Sequence, residues 1–223
     1  MQLNRYIDHT ILKPTTLIAD IEKLCSEAKE YDFAAVCVPP PFVKRSKALL
    51  QDSQTKTATV IGFPFGYSAI EAKIAEILLA VADGADELDM VINIIALKNN
   101  DWLYLANEIN HVMKLVQHHQ KVIKIIIESG ILTDEEIIKC CDLYGAAGVD
   151  YLKTSTGYAE KGAATETILL MRKHLPEHVK IKASGGIRTY GFAKELVDAG
   201  ADRLGCSAGV SIMQQTVNND VQY

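Results

Sequence analysis

The sequence predicts an α/β protein folded as a single-domain (β/α)₈ barrel of the TIM type, on three observations. Short β-branched runs alternate with amphipathic helical patterns along the chain, which is typical of a parallel sheet. Eight such runs in 223 residues leave about 28 residues for each strand–helix unit, close to the usual size. A glycine ends a predicted helix just before a strand in three similar segments, at Gly84, Gly148 and Gly200. These glycines are about two strand–helix units apart each time.

Short β-branched, apolar runs predict eight buried strands, and amphipathic patterns between them predict helices. Apolar residues fall on one stripe in the patterns at 20–31 and 189–199. The pattern at 134–144 follows Thr133, with Glu136 three residues later, which is the spacing of a capping box. In chain order, the predicted strands span residues 6–10, 34–38, 57–63, 87–93, 122–128, 149–153, 179–183 and 203–206.

Two architectures share this alternation, namely the closed barrel and an open, doubly wound sheet. The recurring glycine junction favours the barrel, although glycine is common in any loop that joins a helix to a strand. No G-x-G-x-x-G motif follows the first strand, which argues against a dinucleotide-binding open sheet. We therefore predict a barrel over residues 1–213 and a polar C-terminal tail over residues 214–223.

The composition argues against several classes of function. The chain has 23 basic and 28 acidic residues and a net charge of −5, whereas a nucleic-acid binder needs a basic face. Its five cysteines lack a regular spacing, which indicates a reducing, cytoplasmic compartment. Neither a zinc-binding spacing nor a signal peptide or membrane span is present in the sequence. We expect no metal, nucleic-acid or membrane partner.

The carboxyl ends of the predicted strands identify the candidate active site, because barrels of this class carry their sites there. Four of the six residues at these ends can be charged, and buried charges must be paired. These six residues are Cys37, Asp89, Glu128, Lys153, Lys182 and Ser207.

Lys153 and Lys182 end neighbouring strands and would lie within several ångströms of each other if both point inward. Each would then disfavour the other's ammonium form, leaving the neutral amine that a Schiff-base nucleophile requires. Asp89 could hold Lys182 and exchange protons, or could serve only as a salt-bridge partner. The alternative for the lysines is that they point outward into water.

Three further residues allow two interpretations each. Lys124 either supports the same network or balances Glu87 lower in the barrel. Cys37 is either a pocket thiol or, more commonly, a buried core cysteine. His9, in the first strand, is expected to have a structural role in slight preference to a functional one.

Two glycine-rich segments follow the last two strands and indicate a phosphate site. They are Ser-Gly-Gly-Ile-Arg-Thr at 184–189 and Gly-Cys-Ser-Ala-Gly at 205–209, the second opening a short helix. Loops in these positions, with a helix N-terminus, commonly bind phosphate in this fold. Ser207 adds a hydroxyl, and Arg188 adds either a positive field or a salt bridge. Each segment alone would also suit an ordinary turn.

Several segments together resemble the deoxyribose-phosphate aldolase family, and they occur in order between residues 6 and 209. They are Tyr-Ile-Asp-His-Thr at 6–10, Val-Cys-Val-Pro at 36–39, Glu-Leu-Asp-Met-Val at 87–91, Lys-Thr-Ser-Thr-Gly at 153–157 and Lys-Ala-Ser-Gly-Gly-Ile-Arg-Thr at 182–189. The resemblance implies a class I aldolase that needs no metal or other cofactor. It would reversibly cleave 2-deoxy-D-ribose 5-phosphate to acetaldehyde and D-glyceraldehyde 3-phosphate, in deoxynucleoside catabolism.

The resemblance also implies a role for each matching residue. Lys153 would form the Schiff base, Lys182 would lower its pKa and relay protons, and Asp89 would donate and accept protons through a water. The positions that match substrate-binding residues are Asp8, Thr10, Cys37, Lys124, Thr156, Gly157, Gly185, Gly186, Ser207 and Ala208.

Two positions depart from the family pattern, and one feature of the terminus is shared with some members. Some members have lysine in place of Tyr158 and serine in place of Ala208, so this phosphate site would differ. Some end in a tyrosine that reaches the active site, as Tyr223 would here, although a frayed terminus is the simpler interpretation. The family also implies a homodimer or homotetramer.

Two other functions stay open at the level of sequence. One is another Schiff-base aldolase, or a transaldolase, acting on a different phosphosugar. The other is a non-catalytic phosphosugar-binding barrel, which the pairing of Lys153 and Lys182 with Asp89 disfavours, because binding alone needs no lysine with a lowered pKa.

Overall fold

Eight parallel strands form a closed barrel in the computed structural model, which describes residues 2–219. Each strand pairs with the next in chain order, and the last pairs with the first through His9 and Cys206, which confirms the predicted fold. The strands are β1 (Ile7–Thr10), β2 (Ala35–Val38), β3 (Lys56–Ile61), β4 (Glu87–Val91), β5 (Val122–Ile126), β6 (Tyr151–Lys153), β7 (Lys180–Ser184) and β8 (Arg203–Cys206).

Helices surround the barrel and connect consecutive strands. In the described chain they are α1 (Ile18–Glu30), α2 (Val43–Leu49), α3 (Ile70–Ala82), α4 (Ile94–Lys98), α5 (Trp102–His118), α6 (Asp134–Ala147), α7 (Thr165–His174), α8 (Tyr190–Asp198) and α9 (Gly209–Asn219). Short 3₁₀ segments lie at Asn4–Tyr6, Pro40–Phe42 and Ser129–Ile131. None of the helices within residues 2–219 has both the length and the apolar character that crossing a membrane requires.

Local sequence signals explain where several helices begin. The Thr133 hydroxyl accepts a hydrogen bond from Glu136 N at 3.3 Å, and the Glu136 carboxylate accepts one from Thr133 N at 2.9 Å. This is the predicted capping box, and it satisfies backbone donors at the start of α6. The Thr189 hydroxyl accepts from Phe192 N and begins α8 in the same way.

Most predicted strands differ from the structure by one or two residues at an end, and two of these differences have a local reason. The strand predicted at 87–93 ends at Val91, because the Asn93 side chain accepts from Ala96 N and begins α4. The strand predicted at 122–128 ends at Ile126, and Glu128 has a left-handed backbone with φ of 55° that turns the chain. The backbone of residues 214–219, which the sequence assigned to a polar tail, continues α9.

The main apolar core lies between the barrel and the helices. On β4, Leu88 and Met90 face this core, while Glu87 and Asp89 belong to the alternate face, as a period of two residues requires. A small separate cluster of Cys37, Ala58 and Val60 lies among the strands. The interior of the barrel therefore has room for charged groups, which must find partners there.

A buried ion pair in the helical layer supports β4 from outside. Lys73 Nζ on α3 lies 2.6 Å from Glu108 Oε1 on α5 and donates to Val91 O at 2.8 Å. Glu108 Oε2 accepts from Asn93 N at 3.3 Å. Burial lowers the pKa of Lys73 and raises that of Glu108, while their mutual attraction opposes both shifts. The pair thus fixes the carboxyl end of the strand that carries Asp89.

We expect Glu108→Ala to lower the free energy of unfolding by about 3–5 kcal/mol, because it leaves the Lys73 ammonium buried without its carboxylate. The double variant Lys73→Met/Glu108→Leu should recover most of this loss, since it removes both charges and keeps the volume. Urea unfolding measures both. An equal loss in the single and double variants would show that the charges are not the cause.

Candidate active site

Asp89 lies at the centre of a cluster of charged side chains inside the barrel. Its Oδ2 accepts hydrogen bonds from Lys153 Nζ and from Lys182 Nζ, each at 2.7 Å, and its Oδ1 accepts from Lys124 Nζ at 2.8 Å. All four side chains are buried, and Lys153 is the most exposed of them at 3%. Three consecutive strands, β5, β6 and β7, therefore direct a lysine to the same carboxylate.

A second layer of charges lies towards the amino ends of the strands. Asp8 on β1 accepts from Lys182 Nζ and, at 2.7 Å, from Arg203 Nε. Glu87 Oε2 on β4 lies 2.6 Å from Lys124 Nζ in an ion pair and accepts a hydrogen bond from Arg203 Nη2 at 2.8 Å. This layer joins β1, β4, β5, β7 and β8 into one network. Both interpretations of Lys124 are correct, because it contacts Asp89 and Glu87 together.

The network contains one more basic group than acidic groups. Four basic side chains face the three carboxylates of Asp8, Glu87 and Asp89, so the network is positive when every lysine is protonated. Net charge is costly to bury, so deprotonation of one lysine is favoured. Among the described residues, Lys153 pairs with Asp89 alone and shares that oxygen with Lys182.

Lys153 is the lysine best placed to be a neutral amine. Burial lowers its pKa below the ordinary lysine value, and the positive charge of Lys182 lowers it further, while Asp89 opposes the shift. Glu128 and the thiol of Cys37 also lie near Lys153. Burial raises the pKa of the Cys37 thiol to about 11, so it is uncharged at neutral pH.

The expectation that the two lysines lower each other's pKa is wrong for Lys182. Burial acts to lower the pKa of Lys182, but Asp8 and Asp89 outweigh it and raise the pKa above the ordinary value. The same cations hold the pKa of Asp89 well below its usual range, although burial acts in the opposite direction. Lys182 therefore stays an ammonium group, 2.7 Å from the carboxylate that also contacts Lys153.

A cavity of about 890 Å³ opens at the carboxyl ends of the strands, and Lys153 lines it. The predicted residues Asp8, Cys37, Asp89, Lys124 and Lys182 do not line this cavity and are fully buried. Cys37 packs with Ala58 and Val60, in agreement with a core cysteine. The predicted residues that share the cavity with Lys153 are Thr10, Thr156, Gly157, Gly185, Gly186, Ser207 and Ala208.

The rim after β7 and β8 has the features of an anion site. Gly185 and Gly186 have left-handed backbones, with φ of 91° and 79°. A side chain on Gly185 would lie 2.9 Å from Gly162 Cα, whereas Gly186 has open space around it. Ser207 lies just before α9, whose N-terminus carries partial positive charge, and Arg188 also lines the cavity.

The loop after Lys153 is fixed by a carboxylate to which the sequence assigned no role. The Thr156 backbone N–H and hydroxyl both donate to Glu128, and the Thr156 hydroxyl in turn accepts from Tyr158 N at 3.0 Å. Burial raises the pKa of Glu128, while the bonds from Thr156 and the charge of Lys153 oppose the rise. The position of Glu128 just past a predicted strand end was a sequence signal for a site residue. The sequence did not indicate that its partner is Thr156 on the next loop.

Other residues complete the comparison with the sequence. Arg203 was not predicted, although an arginine at the start of a buried strand implies carboxylate partners. His9 is buried against α1, where its Nε2 lies 2.8 Å from Glu27 Oε2, and both residues also line the cavity that contains Lys153, so its structural role stays a prediction. The predicted contact of Tyr223 lies outside the described residues. Within residues 2–219, no group of three or more His, Cys, Asp or Glu side chains could hold a metal ion.

Known proteins are similar to this chain in sequence and fold. A family model described as DeoC/LacD family aldolase matches residues 3–216. A deoxyribose-phosphate aldolase of Caldanaerobacter subterraneus subsp. tengcongensis is 47% identical over 216 residues, covering 96% of this chain and 94% of the relative. That of Thermococcus kodakarensis is 49% identical over 215 residues, covering 96% of each chain. A solved tetrameric deoxyribose phosphate aldolase from Aeropyrum pernix is 30% identical, with a TM-score of 0.90 over 97% of this chain and 92% of that one.

The geometry predicts that Lys153 is the lysine most reactive towards a small aldehyde and cyanoborohydride near neutral pH, because only the neutral amine is nucleophilic. Lys182→Met removes a neighbouring positive charge and should raise the pKa of Lys153. The neutral fraction at pH 7 would then fall about tenfold for each pKa unit. Lys182→Arg keeps the charge and serves as the control. Peptide mass spectrometry follows the rate from pH 6 to 10, and equal rates in the two variants would contradict the explanation.

Proposed function

This chain belongs to the DeoC/LacD family of aldolases, and we propose that Lys153 forms the Schiff base through which it cleaves 2-deoxy-D-ribose 5-phosphate. The products are acetaldehyde and D-glyceraldehyde 3-phosphate. The observation that supports Lys153 most strongly is its place at the cavity wall with a lowered pKa, beside a carboxylate and a protonated lysine. The Lys153 amine is thus available as a nucleophile. The ammonium group of Lys182 donates to Asp89, the carboxylate that also contacts Lys153.

Formation of the Schiff base follows from the protonation states of the two lysines. The neutral Nζ of Lys153 attacks the C1 carbonyl of the open-chain sugar, and loss of water leaves an iminium ion. The departing hydroxyl needs a proton, which the ammonium group of Lys182 supplies through Asp89 and an intervening water. The iminium ion then accepts the electron pair released by bond cleavage, so a bound metal is not needed for this step.

Carbon–carbon cleavage needs a base and then an acid at the same place. Removal of the proton from the C3 hydroxyl breaks the C2–C3 bond and releases D-glyceraldehyde 3-phosphate, leaving an enamine on Lys153. Protonation of the enamine carbon and addition of water release acetaldehyde and return the amine. Asp89 is ionised between Lys153 and Lys182, so it can accept the hydroxyl proton through a water and then return that proton to the enamine carbon.

The phosphate group of the substrate fits the rim after β7 and β8. Gly185 and Gly186 bring backbone close to the cavity, and Ser207 with the N-terminus of α9 adds a hydroxyl and partial positive charge. Ala208 offers no second hydroxyl there, and Tyr158 offers no ammonium group. This proposed phosphate site therefore depends on backbone groups and Ser207, with Arg188 at its edge.

Free cysteines and exposed apolar side chains bear on where the enzyme works and how it assembles. The five cysteines are free thiols in the structure and suit a reducing compartment, so we propose the cytoplasm. A homo-oligomer is proposed because exposed apolar side chains, such as Leu79 and Leu103, suit burial between copies. The aldolase of Aeropyrum pernix is described as tetrameric. The substrate places the reaction in the breakdown of deoxynucleosides.

Borohydride should trap the proposed intermediate as a stable adduct on Lys153 when acetaldehyde is present. Lys153→Met should lose the adduct and lower kcat/KM by about 10⁴-fold or more, because the nucleophile is gone. Intact and peptide mass spectrometry locates the adduct, and a panel of phosphosugars separates this activity from a transaldolase or another aldolase. Retention of turnover by Lys153→Met would exclude the mechanism.

Asp89→Asn should separate imine formation from proton transfer. The variant keeps the shape of the side chain but loses its basicity, so we expect kcat to fall by about 10²–10⁴-fold. Imine formation should also slow, because Asp89 passes a proton to the departing hydroxyl, but borohydride should still trap the Lys153 imine at long reaction times. Exchange of the methyl protons of acetaldehyde with deuterium, followed by NMR, reports the lost step. Exchange at the wild-type rate would remove Asp89 from proton transfer.

A further inference from the structure

A second cavity of about 360 Å³ lies beside the one that contains Lys153. Apolar side chains make up most of its wall: Leu12, Pro39, Pro40, Val60, Phe63 and Phe65. The Glu76 carboxylate also lines the cavity, and its Oε2 accepts a hydrogen bond from Gly62 N at 2.7 Å. The apolar part of the wall is suited to an uncharged, apolar group.

The two cavities adjoin at Leu12, which lines both of them. The apolar wall also continues inward, because Leu12 and Phe63 pack against Cys37 and Val60. Apolar side chains thus extend from Leu12, which borders the cavity of Lys153, along the second cavity to the buried cluster of Cys37 and Val60.

Tyr158 lines the cavity of Lys153 and contacts two residues of the second cavity, Leu12 and Phe63. Its ring meets the ring of Phe63 edge-on at 5.4 Å between centroids. Its hydroxyl donates to Leu12 O at 2.9 Å, and its backbone N–H is bound by Thr156. Tyr158 is therefore fixed at both ends, although half of its surface is exposed.

The position of the second cavity identifies which part of a substrate would reach it. It lies at the loops after β2 and β3, across the barrel mouth from the loops after β7 and β8 that we assign to phosphate. The phosphorylated acceptor aldehyde occupies the β7–β8 side. A chain that extends towards β2 and β3 belongs to the donor aldehyde held by Lys153.

Building on the proposed function, we propose that Tyr158 sets the upper size limit of the donor aldehyde by closing the apolar cavity to its alkyl chain. The substrate class that removal of this ring would admit is unbranched alkanals of four to six carbons. The chemistry is unchanged: Lys153 condenses with the alkanal and loses water, and a proton leaves the α carbon. That carbon attacks the acceptor carbonyl, whose oxygen takes up the proton that left the α carbon, and water then releases the aldol product and the amine.

Tyr158→Ala and Tyr158→Phe test the proposal, with D-glyceraldehyde 3-phosphate as acceptor and alkanals of two to six carbons as donors. We expect Tyr158→Ala to raise the ratio of kcat/KM for hexanal to that for acetaldehyde by about tenfold or more, the scale that a methylene-sized change in a pocket produces. Tyr158→Phe keeps the ring and should keep the wild-type ratio. Both donors are measured with the same phosphorylated acceptor. Weaker phosphate binding would therefore lower both kcat/KM values and leave their ratio unchanged.

Two further variants locate the alkyl chain. Phe63→Ala opens the same wall from its other side and should also raise the ratio, which provides a test if Tyr158→Ala folds poorly. Ser68→Trp fills the second cavity from its rim, and in the Tyr158→Ala background it should abolish the gain. An unchanged ratio in both alanine variants, or a gain that survives Ser68→Trp, would overturn the proposal.

Trapping with acetaldehyde distinguishes this inference from the function on which it rests. If the wild-type protein forms no borohydride adduct at Lys153, the proposed function fails, and the donor-size proposal fails with it. If the adduct forms and acetaldehyde is turned over while the donor ratio is the same in all variants, only the role of Tyr158 is refuted.

Discussion

The hydrogen bonds that Asp89 accepts from three lysines organise the centre of this protein. Each lysine comes from a different strand, so one carboxylate holds β4, β5, β6 and β7 at a common point. An isolated charge in such a place would be very costly, and the attraction of several partners offsets that cost only while the geometry is kept. The outer pair of Lys73 and Glu108, which fixes the end of β4, therefore protects the position of Asp89 as well as the helical layer.

The same network gives chemically similar side chains different properties. Lys182 lies between Asp8 and Asp89 and remains charged, whereas Lys153 shares one carboxylate and faces the cavity. The difference comes from the number and position of carboxylates, which the strand register sets by placing Lys153 beside Lys182. Acid and base are thus separated by only a few ångströms, in a site whose rigidity is supplied by the barrel.

Much of the fold and site could be predicted from sequence because the signals are local. Alternating strand and helix patterns gave the barrel, and charged residues at strand ends gave Lys153, Lys182 and Asp89. The rest depends on pairs that are far apart in the chain. Arg203 binds Glu87 across 116 positions, and the Tyr158 hydroxyl binds Leu12 O across 146. No periodicity reports such contacts, so neither the charge excess of the network nor the contact of Tyr158 with the second cavity could be foreseen.

The partners of Asp8 also have a consequence for synthesis of the chain. Asp8 is in the first strand, while Lys182 and Arg203 follow it by 174 and 195 positions. During translation the first strand leaves the ribosome long before the residues that neutralise it, and an incomplete barrel would bury an unpaired carboxylate. Premature closure is therefore unfavourable. The nascent chain is expected to stay open until its last two strands emerge, so that completion of the barrel and assembly of its chemistry become a single event.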